Sequence, residues 1–147
     1  MFIRHRKKGF TILELLIVIA VIAILVGIAL PKFKGMRDEG SIAKAKGELR
    51  TLQTAVESYN IHNGAYPANI AAALTGATPQ IIATAPVDPF SGSAYGYVLA
   101  APYYVIYSAG PGTAAGTATV TALGAVTETN GGSCIYVTNG TPIDATP

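Results

Sequence analysis

Glu14 is the residue of this chain whose position most needs a chemical explanation. It is the only charged residue between Phe10 and Leu30, a run of 21 residues. About 20 apolar residues are enough for an α-helix to cross the hydrocarbon core of a bilayer. An ionised acid in the middle of such a helix costs roughly 2.5–3.5 kcal/mol on insertion scales. We therefore expect Glu14 to have a functional partner.

A local role for Glu14 is the alternative interpretation. Thr11 and Glu14 have the spacing of a capping box, in which the two residues satisfy backbone N–H groups at the start of a helix. An acid in the first turn also complements the helix macrodipole. The two roles are compatible, and we expect both.

Residues able to carry out catalysis or bind a metal are scarce. The chain has two histidines, His5 and His62, and one cysteine, Cys134. Neither a catalytic triad nor a metal-ligand spacing can be assembled from them and the few acids. One cysteine excludes an internal disulfide, and we expect Cys134 to be a small core residue in a strand with Ile135 and Tyr136. The sequence predicts neither an enzyme nor a metal site of its own.

The charges are distributed unevenly along the chain. All ten Lys and Arg residues lie within residues 1–50. The positive-inside tendency predicts that the first four remain cytoplasmic, although three more follow the apolar run and weaken this bias. Because the basic residues flank a membrane-length segment, the pattern does not favour nucleic-acid binding. The first group is Arg4, Arg6, Lys7 and Lys8, and the second is Lys32, Lys34 and Arg37.

An ordinary secretory signal peptide is the alternative for the N-terminus. It would have a short apolar core before a small-x-small cleavage site, which Gly27-Ile28-Ala29 could supply. The length of the apolar run, the acid within it and Pro31 just beyond it favour a retained helix instead.

A long helix is predicted from Phe10 to about Ile61. Pro31 removes a backbone N–H and disrupts the bond to the Gly27 carbonyl, so we expect a kink or a locally unwound segment there. Beyond it, apolar residues recur at spacings of three and four and form one stripe. Polar residues between them predict a solvated face. The stripe is Ile42, Ala45, Leu49, Leu52, Val56 and Tyr59, and the solvated face is Lys44, Lys46, Glu48, Arg50, Gln53 and Glu57.

The remainder of the chain predicts short elements. Gly64 suits a left-handed helix cap, and short helices are expected at Ile70–Leu74, after Asn69, and from Pro79 to Ala83. β-Branched and aromatic runs then predict an antiparallel hairpin and two further strands. The sequence therefore predicts an α+β fold in which a long N-terminal helix packs on a small antiparallel sheet. The predicted strands are Tyr95–Leu99, Tyr103–Tyr107, Thr117–Ala122 and Cys134–Thr138.

The N-terminus resembles that of the type IV pilin-like proteins, which include pilins and type II secretion pseudopilins. The resemblance is carried by a basic leader that ends in Gly9, by Phe10-Thr11-Ile12-Leu13-Glu14 and by the apolar helix with Pro31. It implies cleavage between Gly9 and Phe10 by the prepilin peptidase, N-methylation of Phe10 and assembly into a helical filament. In such a filament the Phe10 amine of one subunit would pair with Glu14 of another.

Later motifs resemble the major pseudopilin of type II secretion systems. They are Asn63-Gly64-Ala65-Tyr66-Pro67, Asp88-Pro89-Phe90, Tyr95-Gly96-Tyr97 and Tyr107-Ser108-Ala109-Gly110-Pro111-Gly112. That family typically binds calcium in the loop after the last motif. Here no acid occurs from Phe90 to Thr127, and calcium prefers six to eight oxygen ligands including carboxylates. We therefore expect no cofactor, and Glu128 and Asp144 are the remaining calcium candidates.

The resemblance implies four segments and one role. The segments are a leader at 1–9, a membrane and filament-core helix at 10–30, an amphipathic helix at 31–61 and a periplasmic domain at 62–147. The chain is expected to be a pseudopilin of the bacterial inner membrane, with the leader in the cytoplasm. Its implied partners are other copies, the prepilin peptidase and methyltransferase, minor pilins or pseudopilins, and an inner-membrane assembly platform. A pilus pilin and a membrane-anchored periplasmic binding domain are the alternatives.

Overall fold

The computed structural model describes residues 9–75, 82, 84–112, 116–129 and 134–141, with the backbone alone at 34, 72, 73 and 75. The chain forms two compact units, Met1–Arg37 and Asp38–Pro147. The helices are α1 (Ile12–Asn63) and α2 (Ile70–Thr75). The strands are β1 (Gly96–Ala100), β2 (Tyr103–Ser108), β3 (Thr117–Val120), β4 (Val126–Thr129) and β5 (Ile135–Thr138).

The first unit contains the apolar part of α1. Its large hydrophobic side chains are exposed, from Phe10 to Met36, and the helix is long and apolar enough to cross a membrane. The helix begins at Ile12, two residues after the predicted start, and is helical through Pro31. The expected unwound segment between Gly27 and Pro31 is therefore absent, and the kink there stays a prediction.

The C-terminal cap of α1 is at Gly64, as the sequence predicts, but the last helical residue lies two positions beyond the predicted Ile61. Asn63 is its last residue, and Gly64 follows with a positive φ of 72°. The Gly64 N–H donates to the Asn60 carbonyl at 2.8 Å. This left-handed residue satisfies a carbonyl of the last turn, as C-terminal caps do.

One antiparallel sheet of three strands has the order β1-β2-β5. The register places Val98 opposite Val105 and Ile106 opposite Val137. The predicted hairpin is confirmed, with β1 shifted by one residue toward the turn. The predicted strand Cys134–Thr138 is confirmed from Ile135 onward.

The core lies where α1 crosses one face of this sheet. Leu49, Leu52 and Val56 of α1 are fully buried together with Tyr104 and Ile106 of β2. The predicted stripe is confirmed for these residues and for Ala45, while Ile42 and Tyr59 are half-buried. Burial of a Leu-sized side chain contributes about 1.5–3 kcal/mol.

A second, smaller hairpin covers the opposite face. Val105 of β2 packs with Ala118 and Val120 of β3 and with Val126 of β4. Because side chains alternate across a strand, β2 supplies both cores. The predicted strand from Thr117 ends earlier, at Val120, and β4 was missed.

Two short helices were predicted before the sheet. The first is confirmed as α2, which ends one residue later than expected. The second falls on residues 79–83, of which the structure describes only Ile82.

Truncation of a core leucine tests this packing. We expect Leu52→Ala to lower the free energy of unfolding by about 2–5 kcal/mol, because it removes a buried side chain and leaves a cavity. Urea unfolding of the full chain in detergent, followed by circular dichroism, measures the change. The matched control is Leu123→Ala, at a side chain that is 89% exposed. Equal effects of both variants would contradict the proposed core.

Candidate functional site

Glu14 closes the N-terminal turn of α1 with Thr11. The carboxylate Oε2 accepts hydrogen bonds from the Thr11 backbone N–H and from its hydroxyl, both at 2.9 Å. In return, the Glu14 N–H donates to the Thr11 hydroxyl at 3.2 Å. This reciprocal arrangement is a capping box. The local role of Glu14 that the spacing predicts is therefore confirmed.

No cation neutralises Glu14 within the part of the chain that the structure describes. There the single ion pair joins Lys44 and Glu48, at 3.8 Å. Glu14 and Phe10 are both exposed. The capping bonds use one carboxylate oxygen, Oε2, and Oε1 has no hydrogen-bond partner among the described residues.

Two other acids of α1 bond to tyrosines of the core. Glu57 accepts from the Tyr104 hydroxyl at 2.6 Å and from the Tyr66 hydroxyl at 3.2 Å. Glu48 accepts from the Tyr95 hydroxyl at 2.6 Å. Burial, followed by these carboxylates, raises the pKa of Tyr104 and of Tyr95 well above the usual range. Both phenols therefore stay protonated and act as donors.

The predicted solvated face of α1 is wrong at three of its residues. Glu48, Gln53 and Glu57 are half-buried rather than solvated. Gln53 donates from Nε2 to the Thr138 carbonyl at 3.4 Å, while the two glutamates bind the tyrosines. A polar residue beside the apolar stripe can face a partner hydroxyl, which helical periodicity alone does not reveal.

Asn139 ties three segments together. Its Oδ1 accepts from the Tyr104 N–H at 2.8 Å, and its Nδ2 donates to the Pro102 carbonyl at 3.0 Å and to the Tyr66 hydroxyl at 3.1 Å. Asn139-Gly140-Thr141 has the pattern of an N-glycosylation sequon. Since both ends of the Asn139 amide are engaged internally, the residue has a structural role here.

Asp88 anchors the chain that follows β2. It is buried, and its Oδ1 accepts from the Ser108 hydroxyl at 2.7 Å and from the Phe90 N–H at 3.1 Å. Its Oδ2 accepts from the Ala109 N–H at 3.0 Å. Burial raises the pKa of Asp88, but these bonds outweigh it and hold the pKa below its usual value. The ionised carboxylate thus joins two distant loops.

Comparison with known proteins finds a family match at the N-terminus, in the segment that contains Thr11 and Glu14. Residues 4–30 match the family described as the prokaryotic N-terminal methylation motif. The chain is 30% identical over 64 residues to the type II secretion system core protein G of Pseudomonas aeruginosa, a match covering 44% of this chain and 45% of the relative. The core protein G of Pectobacterium carotovorum subsp. carotovorum is 30% identical over 63 residues, 43% of this chain and 40% of the relative.

A fimbrial protein gives a shorter match of higher identity. Fimbrial protein EcpB of Eikenella corrodens is 45% identical over 60 residues, which is 41% of this chain and 38% of the relative. No solved structure matches significantly. The chain thus spans less than half the length of each of these relatives. This chain therefore carries the prokaryotic N-terminal methylation motif.

The motifs that resemble the major pseudopilin have a common structural role. Tyr66, Asp88, Tyr95 and Ser108 each form a hydrogen bond that joins separate segments. The sequence singles out these residues through the resemblance alone and does not reveal their bonding partners. Tyr95 and Tyr104 bond to acids of α1 that lie 47 residues away in the chain, and local patterns do not indicate such contacts.

Cys134 behaves as a structural residue of the second unit. It lies just before β5, is half-buried and packs against the second core. Its thiol donates to the Ser108 carbonyl at 3.3 Å. Burial, with the charges of Glu128 and Asp88, raises the pKa of the thiol to about 12. The predicted position within a strand is wrong by one residue.

Of the two calcium candidates, the structure describes only Glu128, so it does not test whether they lie close together. Glu128 lies half-buried on β4, and Asp144 lies outside the described residues. Among the residues that are described, no group of three or more His, Cys, Asp and Glu could hold a metal ion. The absence of a cofactor stays an expectation from the sequence, and Glu128 and Asp144 stay the calcium candidates.

Neutralisation of Asp88 tests its anchoring role. The pKa of this carboxyl is lowered on folding, so its stabilisation is present above the unfolded value of about 3.9 and is lost as the pH falls through the folded value. We expect Asp88→Asn to lower the free energy of unfolding at pH 7 by about 1–3 kcal/mol. The variant should also have a weaker pH dependence between about pH 5 and 2, measured by urea unfolding.

The exposed Asp38 provides the control for this experiment. Asp38→Asn makes the same chemical change without removing a bond to a loop. If both variants unfold at the same urea concentration across this pH range, Asp88 does not anchor the loops.

Proposed function

We propose that this chain is a structural subunit of a helical pilus-like filament, and that it serves as a type II secretion pseudopilin assisting protein export across the outer membrane. One observation carries the proposal. Glu14 is the single charged residue from Phe10 to Leu30, an exposed apolar segment that lies within the matched methylation motif. A structural subunit needs no catalytic group, which fits the scarcity of such residues.

Processing would prepare the helix for assembly. Cleavage between Gly9 and Phe10 removes the basic leader and creates an α-amine at Phe10, where N-methylation follows. Such an amine has a pKa near 8 in model peptides and is largely protonated at neutral pH. Its charge lies one helical turn before Glu14.

The amine and the acid would pair between subunits. Because Glu14 offers Oε1 while Oε2 caps the helix, a cation from a neighbour can bind without breaking the cap. A buried ion pair adds little net stability, but removal of one partner costs about 3–5 kcal/mol. Such a pair suits the setting of subunit register, while apolar contacts between helices supply cohesion.

The proposed setting is the bacterial inner membrane. The leader would face the cytoplasm and the domain from residue 62 the periplasm, with residues 10–30 in the bilayer before assembly. The required partners are other copies, the prepilin peptidase and methyltransferase, minor pseudopilins or pilins, and an assembly platform. A bend of α1 between Gly27 and Pro31 would adjust how neighbouring helices pack.

A subunit of a surface type IV pilus is the second candidate. The similarity to a fimbrial protein favours it, as does the absence of acids from Phe90 to Thr127. The similarity to several core proteins G and the motifs from Asn63 to Phe90 favour secretion. We give priority to secretion because these motifs belong to the folded domain.

Substitution of Glu14 by Gln tests the charge pair. Gln retains the hydrogen-bonding geometry of a capping box but cannot neutralise the Phe10 amine. We expect Glu14→Gln to reduce filament yield by at least tenfold, measured by shearing and electron microscopy of cells that overproduce the chain. Membrane insertion should be retained.

The matched control is Thr11→Val. It removes the capping hydroxyl and keeps the acid, so it costs the helix about 1 kcal/mol and should leave filaments largely intact. Normal filament yield in Glu14→Gln would contradict the pairing, and an equal loss in Thr11→Val would assign the effect to the cap.

Deletion of the gene distinguishes the two filament types. For a pseudopilin we expect extracellular release of enzymes to fall to background while surface pili remain, and plasmid-borne wild-type chain should restore release. Secreted activity in the culture supernatant and surface pili by electron microscopy are measured in the same strain. Loss of pili with normal secretion would instead support the pilin.

A further inference from the structure

A pair of cations just beyond the apolar run has no role in the proposed function. Lys32 and Arg37 are both exposed and form no ion pair within the described part of the chain. Phe33 and Met36, between them, are each 65% exposed. We call Lys32 and Arg37 the basic collar. Lys34 lies between them in the sequence.

Helix geometry gives the depth of the collar in a bilayer. Lys32 follows Phe10 by 22 residues of chain, and a rise of 1.5 Å per residue makes that about 33 Å. The hydrocarbon core of a bilayer is about 30 Å thick. With the Phe10 end at one surface, the collar lies among the lipid headgroups of the other, which the long side chains of Lys and Arg near a helix end can reach.

An open concavity of about 310 Å³ lies at the collar, lined by Ala29, Lys32, Phe33 and Met36. These residues are three and four apart and therefore share one helix face. Three of them are apolar, and the fourth carries a positive charge. The matching occupant is an amphipathic anion with an acyl chain and a phosphate. A neighbouring protein helix would need an acid at this position within an otherwise apolar face.

We propose that the basic collar binds the headgroup of an acidic phospholipid in the periplasmic leaflet, with the acyl chain along Phe33 and Met36. The inference rests on the membrane location in the proposed function. The acids Asp38 and Glu39 follow at once in the sequence and repel a phosphate, so they limit the lipid contact to the segment that ends at Arg37. A subunit that leaves the bilayer for a filament must release this lipid.

Lipid binding to the full chain in detergent tests the proposal. Native mass spectrometry compares phosphatidylglycerol with phosphatidylcholine of identical acyl chains. Attraction of each cation to an anionic lipid surface corresponds to about a fivefold gain in affinity. We therefore expect at least fivefold tighter binding of phosphatidylglycerol, and a ratio at least fivefold smaller in the double variant Lys32→Gln/Arg37→Gln than in the wild-type chain.

The control is Lys46→Gln/Arg50→Gln, which removes two exposed cations from the second unit. It should keep the preference for phosphatidylglycerol. An equal affinity of the wild-type chain for both lipids, or a preference that is undiminished by the loss of Lys32 and Arg37, would overturn the proposal.

A depth measurement distinguishes this failure from failure of the membrane location. The chain has no tryptophan, so Phe33→Trp gives a single tryptophan, which can be excited selectively over the tyrosines in vesicles that contain brominated lipids. We expect quenching by bromines near the headgroup. If quenching occurs but phosphatidylglycerol is not preferred, only the lipid binding by the collar is rejected. If no quenching occurs, the proposed membrane location is rejected as well.

Discussion

Contact between α1 and β2 is the interaction on which the second unit depends. Leu49, Leu52 and Val56 bury one stripe of the helix against Tyr104 and Ile106. The opposite face of β2 then supports the hairpin β3–β4 through Val105. A single central strand thus holds a helix on one side and a hairpin on the other. Because every residue of such a strand contacts some part of the core, its sequence is a nearly continuous apolar and aromatic run, as expected for strands buried on both faces.

The elements with strong periodicity were predictable from the sequence. The long helix, its Gly64 cap, the β1–β2 hairpin and α2 all follow from local patterns, with ends displaced by one or two residues. Strand β4 was missed because Val126–Thr129 contains one apolar residue, and its pairing with β3 depends on Val126 reaching a core built by a distant strand. The Glu14 capping box was predictable for the opposite reason, since both partners lie within one helical turn.

The polar part of the core was not predictable in the same way. Glu48 and Glu57 occupy positions at the edge of the apolar stripe, where solvent and a packed sheet are both compatible with an acid. Glu48 bonds to Tyr95 and Glu57 to Tyr104, each 47 residues away in the chain, and these contacts exist only once the sheet has formed. Each phenol supplies a hydrogen bond to a half-buried carboxylate, which would otherwise be costly to bury. These directional bonds fix how α1 is rotated about its axis against the sheet, whereas apolar contacts alone are not directional.

Glu57 and Glu14 are both acids next to apolar residues, but their carboxylates have different kinds of hydrogen-bond partner. Glu57 is satisfied by tyrosines of its own domain, so folding alone completes its bonding. Glu14 has only its own helix turn, which satisfies one oxygen and leaves the charge uncompensated within the described residues. In a bilayer or a helix bundle that residual charge favours any arrangement that brings a cation to it. Folding therefore satisfies Glu57 within the domain, whereas the charge of Glu14 has no cation among the described residues, and the proposed filament would supply one.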